Sequence, residues 1–377
     1  MSKVLNLKKS LLSALLIGVL FVASACTGAD NGSSGKGLSK EAAGGSENKA
    51  KERIVVATPF PLGAPAGTPT WLGESIGYFE DEGLDIEIVS LPGKPAETVG
   101  LVVAGKADIA FSQPDALVFP IADGKDQGLT WIFSPYQKPI FGIAVEKSSD
   151  ISSPSQLENK TIGMLSLGAP FETFLNANVS ADGGDPSTID NVAIASGAAA
   201  MEALRKGDIN AFAGNQADMA TAALITGTET RLLPFPSKVE EGFAAGFVMR
   251  KDTDKAKRDA IARYLRSVVK TGIFAQENPD KAVELNWEMY PASKPTDKSE
   301  EQALKEAKVS LGVIADNYQS ASNGQWGYIS EDRWKKFVDG NGLTDKIPDV
   351  TKIYDYSLLD LINSFNEEEV REQARNF

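Results

Sequence analysis

The sequence predicts an α/β protein built from two lobes joined by a hinge, with a helical extension at its C-terminal end. Three observations lead to this fold class. From residue 53 onward, short apolar runs alternate with longer amphipathic stretches, which is typical of βαβ units and largely parallel sheets. Two similar segments, 105–113 and 207–216, fall in different halves of this region. After residue 252 the pattern becomes helical, which predicts the extension.

The first half of this region predicts regular alternation of strands and helices. Thr68 as N-cap and Pro69 at the first helical position start a helix that Gly83 ends. The predicted strands are 54–58, 85–91, 108–111 and 129–133, and the other predicted helices are 98–104 and 114–122.

The repeated segment marks one loop in each lobe. In both copies a helix stops at a glycine, Gly105 or Gly207, a short strand follows, and polar amides stand at its end, Gln113 in one copy and 215–216 in the other. Open α/β sheets bind ligands at the carboxyl ends of their parallel strands. Both loops are therefore predicted to face a ligand.

The second half continues the alternation and then becomes helical. A short helix opened by Ser153-Pro154 precedes a strand, apolar runs follow, and five helices end the chain near Phe377. The predicted strand is 160–165, the apolar runs are 231–235 and 243–250, and the first four helices are 256–274, 279–289, 300–317 and 331–339.

Two connections, 136–145 and 236–248, join the predicted lobes. Lobe 1 is predicted to comprise 53–143 and 240–377, and lobe 2 to comprise 144–239. Two connections between two sheets allow a hinge, and a hinge between sheets makes a cleft.

Residues 1–25 have the three zones of an export signal. Lysines come first, an apolar run over 11–23 follows, and small residues precede Cys26, the only cysteine of the chain. The run is too short to span a bilayer as a mature helix, so removal after export is expected. Small residues before a cysteine resemble the lipobox of bacterial lipoproteins, which implies a lipidated Cys26 at the new N-terminus. An ordinary secretory signal is the alternative. Residues 26–52 are rich in glycine and predict a flexible tether.

Composition excludes several classes of function. Without the three lysines of the signal, 35 basic residues face 51 acidic ones, a net charge of −16. Such a surface repels nucleic acid and anionic headgroups, so a protein or a small solute is the expected partner of a monomer. Histidine is absent, which removes imidazole triads and the commonest zinc ligand. We therefore expect no catalytic residue, no metal and no cofactor.

Three further motifs carry a family resemblance. Residues 77–86 (GYFEDEGLDI), 105–109 (GKADI) and 153–163 (SPSQLENKTIG) resemble motifs of the solute receptors that include nitrate, sulfonate, taurine and thiamine-precursor proteins. Asn159 stands where that family usually has glycine. The resemblance covers about 54–353 and implies a periplasmic-binding-protein type II fold. It also implies a receptor that closes on a small solute, delivers it to an ABC permease and is anchored to the outer face of the cell membrane through Cys26.

Four loops and the crossover are expected to line the cleft: 59–71, 112–115, 167–172, 214–216 and 136–137. The candidate ligand-binding residues are Phe60, Trp71, Gln113, Tyr136, Gly168, Ala169, Phe171, Glu172, Asn215 and Gln216. Aromatic faces and amides, with one carboxylate at Glu172, favour a pyrimidine-like or other nitrogenous solute.

Other interpretations stay open from the sequence. Helix N-termini in these loops could hold a sulfonate or nitrate anion. An exported enzyme that works through carboxylates is a further alternative. Trp71 and Phe171 could be core residues between the lobes. Glu172 could serve to complement a helix dipole and not to bind a ligand.

Overall fold

The computed structural model describes residues 50–167, 171–236 and 245–377. The predicted signal, Cys26 and nearly all of the predicted tether lie outside the described residues, as do Gly168 and Ala169. Residues Lys49–Phe377 form one compact unit.

The described residues form ten strands: β1 (Glu52–Thr58), β2 (Leu84–Ser90), β3 (Ile109–Ser112), β4 (Leu129–Phe133), β5 (Phe141–Glu146), β6 (Thr161–Met164), β7 (Asp190–Ala193), β8 (Ala211–Asn215), β9 (Thr230–Leu232) and β10 (Gly246–Arg250). Their α-helices are α1 (Thr68–Trp71), α2 (Gly73–Ile76), α3 (Tyr78–Asp81), α4 (Pro95–Val103), α5 (Asp115–Ala122), α6 (Phe171–Ala181), α7 (Gly197–Lys206), α8 (Gln216–Thr226), α9 (Lys255–Glu277), α10 (Pro279–Met289), α11 (Glu300–Asn317), α12 (Glu331–Gly340), α13 (Leu359–Ile362) and α14 (Glu367–Asn376).

The strands form two five-stranded sheets of matching topology. The first has the order β2-β1-β3-β10-β4 and the second β7-β6-β8-β5-β9. In each sheet one strand next to a crossover is antiparallel to its neighbours: β10 in the first sheet and β5 in the second. This arrangement confirms the predicted two-lobed α/β fold. Strand β5 begins at Phe141, and the exact lobe boundaries stay a prediction.

The internal repeat has a structural basis in its glycines. Gly105 and Gly207 have φ values of 67° and 77° and end α4 and α7 in the left-handed conformation that glycine adopts most easily. Three residues later, Asp108 and Asn210 each exchange two hydrogen bonds with a neighbouring strand, their N–H groups donating and their side chains accepting at 2.8–3.0 Å. The repeat is therefore aligned by its glycines and not by the Asp-Ile pair that each copy contains.

Asn159 explains the departure from the family motif. Its φ is 57°, and it is the one non-glycine residue with positive φ among those the structure describes. Asparagine is among the few L-residues that tolerate this conformation. The backbone shape expected from glycine is thus kept without glycine.

The segment after β1 differs from the prediction. The helix expected from Thr68 to Gly83 is divided into α1, α2 and α3, with a break at Gly77, where φ is 96°. The predicted continuous helix is therefore wrong, although Leu72 and Phe79 of this segment are buried in the core of the first lobe.

Helix α9 organises the first lobe. It begins at the N-cap Asp254, buries most of one face, and contacts α1, α10, α11, α13 and α14. The lobes meet where α8 of the second lobe packs against α11 of the first, and Ala217 of α8 belongs to the core of the first lobe. Within the described ranges, no helix combines the length and apolar character needed to cross a membrane.

Candidate functional site

A cavity of about 500 Å³ lies between the two lobes. The first lobe contributes Gly63, Pro65 and Thr68 from the segment after β1, together with side chains of α10 and α11. The second lobe contributes Leu165 after β6, residues 195–198 after β7, and one face of α8. The cavity thus lies beyond the carboxyl ends of β1, β6 and β7, the position at which α/β sheets of this kind bind ligands.

Two carboxylates line the cavity, and their surroundings differ. Glu306 of α11 is 7% exposed and accepts hydrogen bonds from Lys298 Nζ at 2.7 Å and Gln302 Nε2 at 2.8 Å. Burial would raise the pKa of Glu306, but these hydrogen bonds and the charge of Lys298 outweigh it and lower the pKa.

Asp218 of α8 lines the cavity and is exposed, although protein surrounds part of its carboxyl group. Burial raises the pKa of its carboxyl group. Among the described residues its side chain has no hydrogen-bond or ion-pair partner. Its own N–H donates to Asn215 Oδ1 at 3.4 Å, which places the carboxylate in the first turn of α8.

Trp71 supports the cavity wall from inside the first lobe. Its Nε1 donates to Asn286 Oδ1 at 2.8 Å, and Asn286 Nδ2 donates to the Gly63 carbonyl at 2.8 Å. The indole is 1% exposed and its ring makes an edge contact with Tyr290. In this conformation Trp71 has no free face for a ligand, and it positions Asn286 and Gly63, which line the cavity.

The other candidates of the first lobe differ in exposure. Phe60 is half-buried, with its ring centroid 4.9 Å from that of Phe111. Tyr136 is 2% exposed and packs edge-on against Phe111 and Tyr318, and burial raises the pKa of its phenol. Gln113 is half-buried, and its side chain has no hydrogen-bond partner within the described ranges.

Two candidates of the second lobe contact their own lobe. Phe171 packs edge-on against Phe141, with ring centroids 5.4 Å apart. Glu172 Oε1 accepts a hydrogen bond from Asn191 Nδ2 at 3.4 Å. Both residues are half-buried at the start of α6.

Asn215 and Gln216 fix the start of α8. Asn215 Oδ1 accepts from the N–H of Ala217 at 2.9 Å and caps the helix. Gln216 Nε2 donates to the carbonyls of Pro139 and Phe141 at 3.1 and 2.8 Å. Its amide hydrogens therefore bind the first connection between the lobes, 136–145.

None of the predicted site residues that the structure describes lines the cavity. The structure instead brings Trp71 and Asn215 into contact with residues that do, Asn286 and Asp218. A sequence signal for Asp218 existed, since both copies of the repeat are followed by an acid in the first turn of a helix. The other such acid, Asp115, is half-buried, and burial raises the pKa of its carboxyl group although backbone hydrogen bonds oppose the shift.

Metal ligands do not cluster in the described part of the chain. No group of three or more Asp, Glu, His or Cys side chains there could hold a metal ion.

The NMT1/THI5-like family model matches residues 64–282. A formylaminopyrimidine-binding protein of Halalkalibacterium halodurans is 30% identical over 176 residues, 46% of each chain. A 4-amino-5-hydroxymethyl-2-methylpyrimidine phosphate synthase of Candida albicans is 38% identical over 103 residues, 26% of this chain and 29% of that protein. The chain thus spans less than half the length of the curated relatives it matches.

Solved structures show a similar fold. A putative periplasmic sulfonate-binding protein SsuA of Methylobacillus flagellatus KT has a TM-score of 0.56 at 15% identity, covering 83% of this chain and 94% of that one. The periplasmic nitrate-binding protein NrtA of Synechocystis PCC 6803 has a TM-score of 0.52 at 14% identity, covering 86% and 98%. With the family model matching more than half of its length and its two-sheet topology, the chain belongs to the NMT1/THI5-like family and has a periplasmic-binding-protein type II fold.

Proposed function

We propose that the protein is an extracytoplasmic solute receptor that captures a small molecule between its lobes and delivers it to an ABC importer. The observation that carries this proposal is a cavity of about 500 Å³ lined by both lobes. The cavity volume is in the range of small-molecule sites, and a ligand there would contact both lobes. We propose that two lobes close on the ligand: lobe 1, which comprises 53–143 and 240–377, and lobe 2, which comprises 144–239.

The ligand that we propose is a pyrimidine-like or other nitrogenous compound. Among the residues that the structure describes, the cavity lining contains carboxylates but no lysine or arginine, which suits a neutral or cationic solute. One relative is named for binding a formylaminopyrimidine. Further ligand contacts are proposed for the half-buried residues of the cleft loops, Phe60, Gln113, Phe171, Glu172 and Asn215, and for the loop of Gly168 and Ala169. For Trp71, Tyr136 and Gln216 we propose a supporting role.

One observation favours the alternative of a sulfonate or nitrate ligand. The N-terminus of α7, at Ser196, Gly197 and Ala198, lines the cavity, and helix N-termini bind anions. The carboxyl group of Asp218 in the same cavity, which has no cationic partner among the described residues, opposes an anion, so we rank this alternative second.

A receptor is also favoured over an exported enzyme acting through carboxylates. Such an enzyme needs two available acids. Glu306 is bound by Lys298 and Gln302, which leaves Asp218 as the uncommitted acid among the cavity residues that the structure describes.

A thermal-shift screen of the purified protein tests the proposal. Pyrimidines, small amines, sulfonates and nitrate would be added one at a time, and a ligand at a hundred times its Kd is expected to add about 2.7 kcal/mol of stability. A pyrimidine that raises Tm and is recovered chemically unchanged supports a receptor. Conversion of the compound would indicate an enzyme, and a response to sulfonate or nitrate alone would favour the anion alternative.

The membrane attachment is proposed separately. We propose that lipidated Cys26 and the glycine-rich segment after it tether the receptor near its permease. Incorporation of labelled palmitate into the wild-type protein, lost in Cys26→Ser, is the expected result. Equal labelling of both proteins would contradict the anchor without affecting the receptor proposal.

A further inference from the structure

The charge of the interlobe cavity comes from one side chain. Of its two carboxylates, Glu306 is neutralised by Lys298 at 2.7 Å. In this ion pair the Glu306 side chain is 10% accessible and the Lys298 side chain 24%. No lysine or arginine lies among the cavity-lining residues that the structure describes. Asp218 is therefore the acid of the described lining whose charge is not offset.

None of the described residues around the cavity offers Asp218 a cation. On its own helix, Thr221, Ala222 and Ile225 share the face toward the cavity. On the opposite wall, Glu306 is the titratable group that α11 presents, and α10 presents Asn286 and Trp287. Lys294 Nζ lies 5.1 Å from the centroid of the Trp287 ring, but it pairs with Glu300 at 2.6 Å.

An unpaired carboxylate facing a cavity has an energetic cost. Desolvation disfavours its charged form, consistent with the raised pKa of Asp218. The dipole of α8 offsets part of this cost, since the first turn of a helix favours an acid. A cation that entered the cavity between the lobes would pair with this carboxylate and offset more of the cost.

We propose that Asp218 is the counter-ion for a positively charged group on the bound solute, so that the cavity selects an amine-bearing or protonated nitrogen compound over its neutral and anionic analogues. The proposal rests on the proposed receptor function and names the charge class of its ligand. It assigns the selection to Asp218 of α8. The acid expected from the sequence was Glu172 of α6, which accepts a hydrogen bond from Asn191.

Two ligand series with matched shapes test the proposal by isothermal titration calorimetry. The first is 4-amino-2-methylpyrimidine with an aminomethyl, hydroxymethyl or carboxyl group at C5. The second is propylamine, propanol and propanesulfonate. Wild-type protein, Asp218→Asn and Asp208→Asn would be titrated at pH 7. Asp208 is an exposed acid of the same lobe outside the cavity lining, so its replacement controls for the loss of one surface charge.

We expect the wild-type protein to bind the cationic member at least about 10-fold more tightly than the neutral one, as for a hydrogen bond to a charged group. This preference should fall to about 2-fold or less in Asp218→Asn and persist in Asp208→Asn.

Other outcomes overturn the proposal in distinguishable ways. A preference that survives in Asp218→Asn, or tighter binding of the neutral or anionic member, would reject the role of Asp218 while leaving a receptor. Binding of no member of either series would reject the charge class and the proposed nitrogenous ligand together.

Discussion

The two lobes share one sheet topology, but several of their buried polar groups differ in whether they have hydrogen-bond partners. In the first lobe, Asn286 uses both ends of its amide, and Glu82 binds Arg266 at 2.5 Å with side chains only 10% and 12% accessible. In the second lobe, Oδ1 of Asn176, Asn178 and Asn191 is buried without a partner among the described residues.

This difference shows that a common topology does not impose a common interior. Buried polar groups are usually hydrogen-bonded, and these three acceptors of the second lobe depart from that rule among the described residues. We expect the first lobe, which α9 and the C-terminal helices cover, to be the more costly to perturb. The same contrast is visible in the cavity, where Glu306 of the first lobe is paired and Asp218 of the second is not.

The largest expected effect compares two aromatic residues. Trp71→Ala in the first lobe should destabilise the protein by about 3–5 kcal/mol, because a fully buried indole and its hydrogen bond are lost. Phe171→Ala in the second lobe, half-buried, should cost less than about 2 kcal/mol. Urea unfolding measures both, and equal losses would contradict the difference between the lobes.

The next comparison uses two buried asparagines. Asn286→Ala leaves Trp71 Nε1 and the Gly63 carbonyl without their partner and should cost about 2–4 kcal/mol. Asn178→Ala removes one hydrogen bond, to the Phe174 carbonyl, and also an unsatisfied oxygen, so about 1 kcal/mol or less is expected. A larger loss for Asn178→Ala would show that its oxygen is satisfied in solution.

The paired acid of the first lobe should make stability depend on pH. The folded-state pKa of Glu306 is lowered, so its contribution is present above the ordinary value of 4.5 and is lost as the pH falls through the lower folded value. The Tm deficit of Glu306→Gln should therefore be largest near pH 7 and shrink below pH 4.5. A deficit that is constant from pH 3 to pH 7 would indicate that packing, not charge, is lost.

The smallest expected effect concerns the unpaired acid of the second lobe. The folded-state pKa of Asp218 is raised, so its charged form disfavours the folded state above that pKa, and the effect disappears below the ordinary value of 3.8. Asp218→Asn without ligand should raise Tm at pH 7 by less than about 2 °C and leave it unchanged at low pH. A Tm loss at pH 7, absent in Asp208→Asn, would instead mean that Asp218 mainly stabilises the N-terminus of α8.

Much of the fold was predictable because it depends on local patterns. Alternation of apolar runs located β1 to β4 and β6, and caps and prolines located helices such as α10 and α11 at their observed bounds. The segment after β1 was less predictable. Its apolar spacing predicts which side is buried, but a break at Gly77 depends on how α9 packs against it.

The candidate site was predictable only in part. The repeat predicted a polar loop at 214–216, and in the structure Asn215 of this segment caps α8. Which side chains reach the cavity was not predictable, because the partner of Trp71 is 215 residues away in the sequence. The sequence around an aromatic residue is the same whether its ring is buried in the core or exposed to a ligand.

By itself, the sequence determined the fold class, the repeat with its two glycines, and the conformation of Asn159. These follow from short-range sterics and hydrophobic periodicity, which act within a few residues. Only the tertiary structure decided that Trp71 supports the cavity from behind and that Asp218 faces the cavity with no partner among the described residues. Packing and charge pairing join residues far apart in the chain, and only the folded arrangement brings such groups together or leaves one of them unpaired.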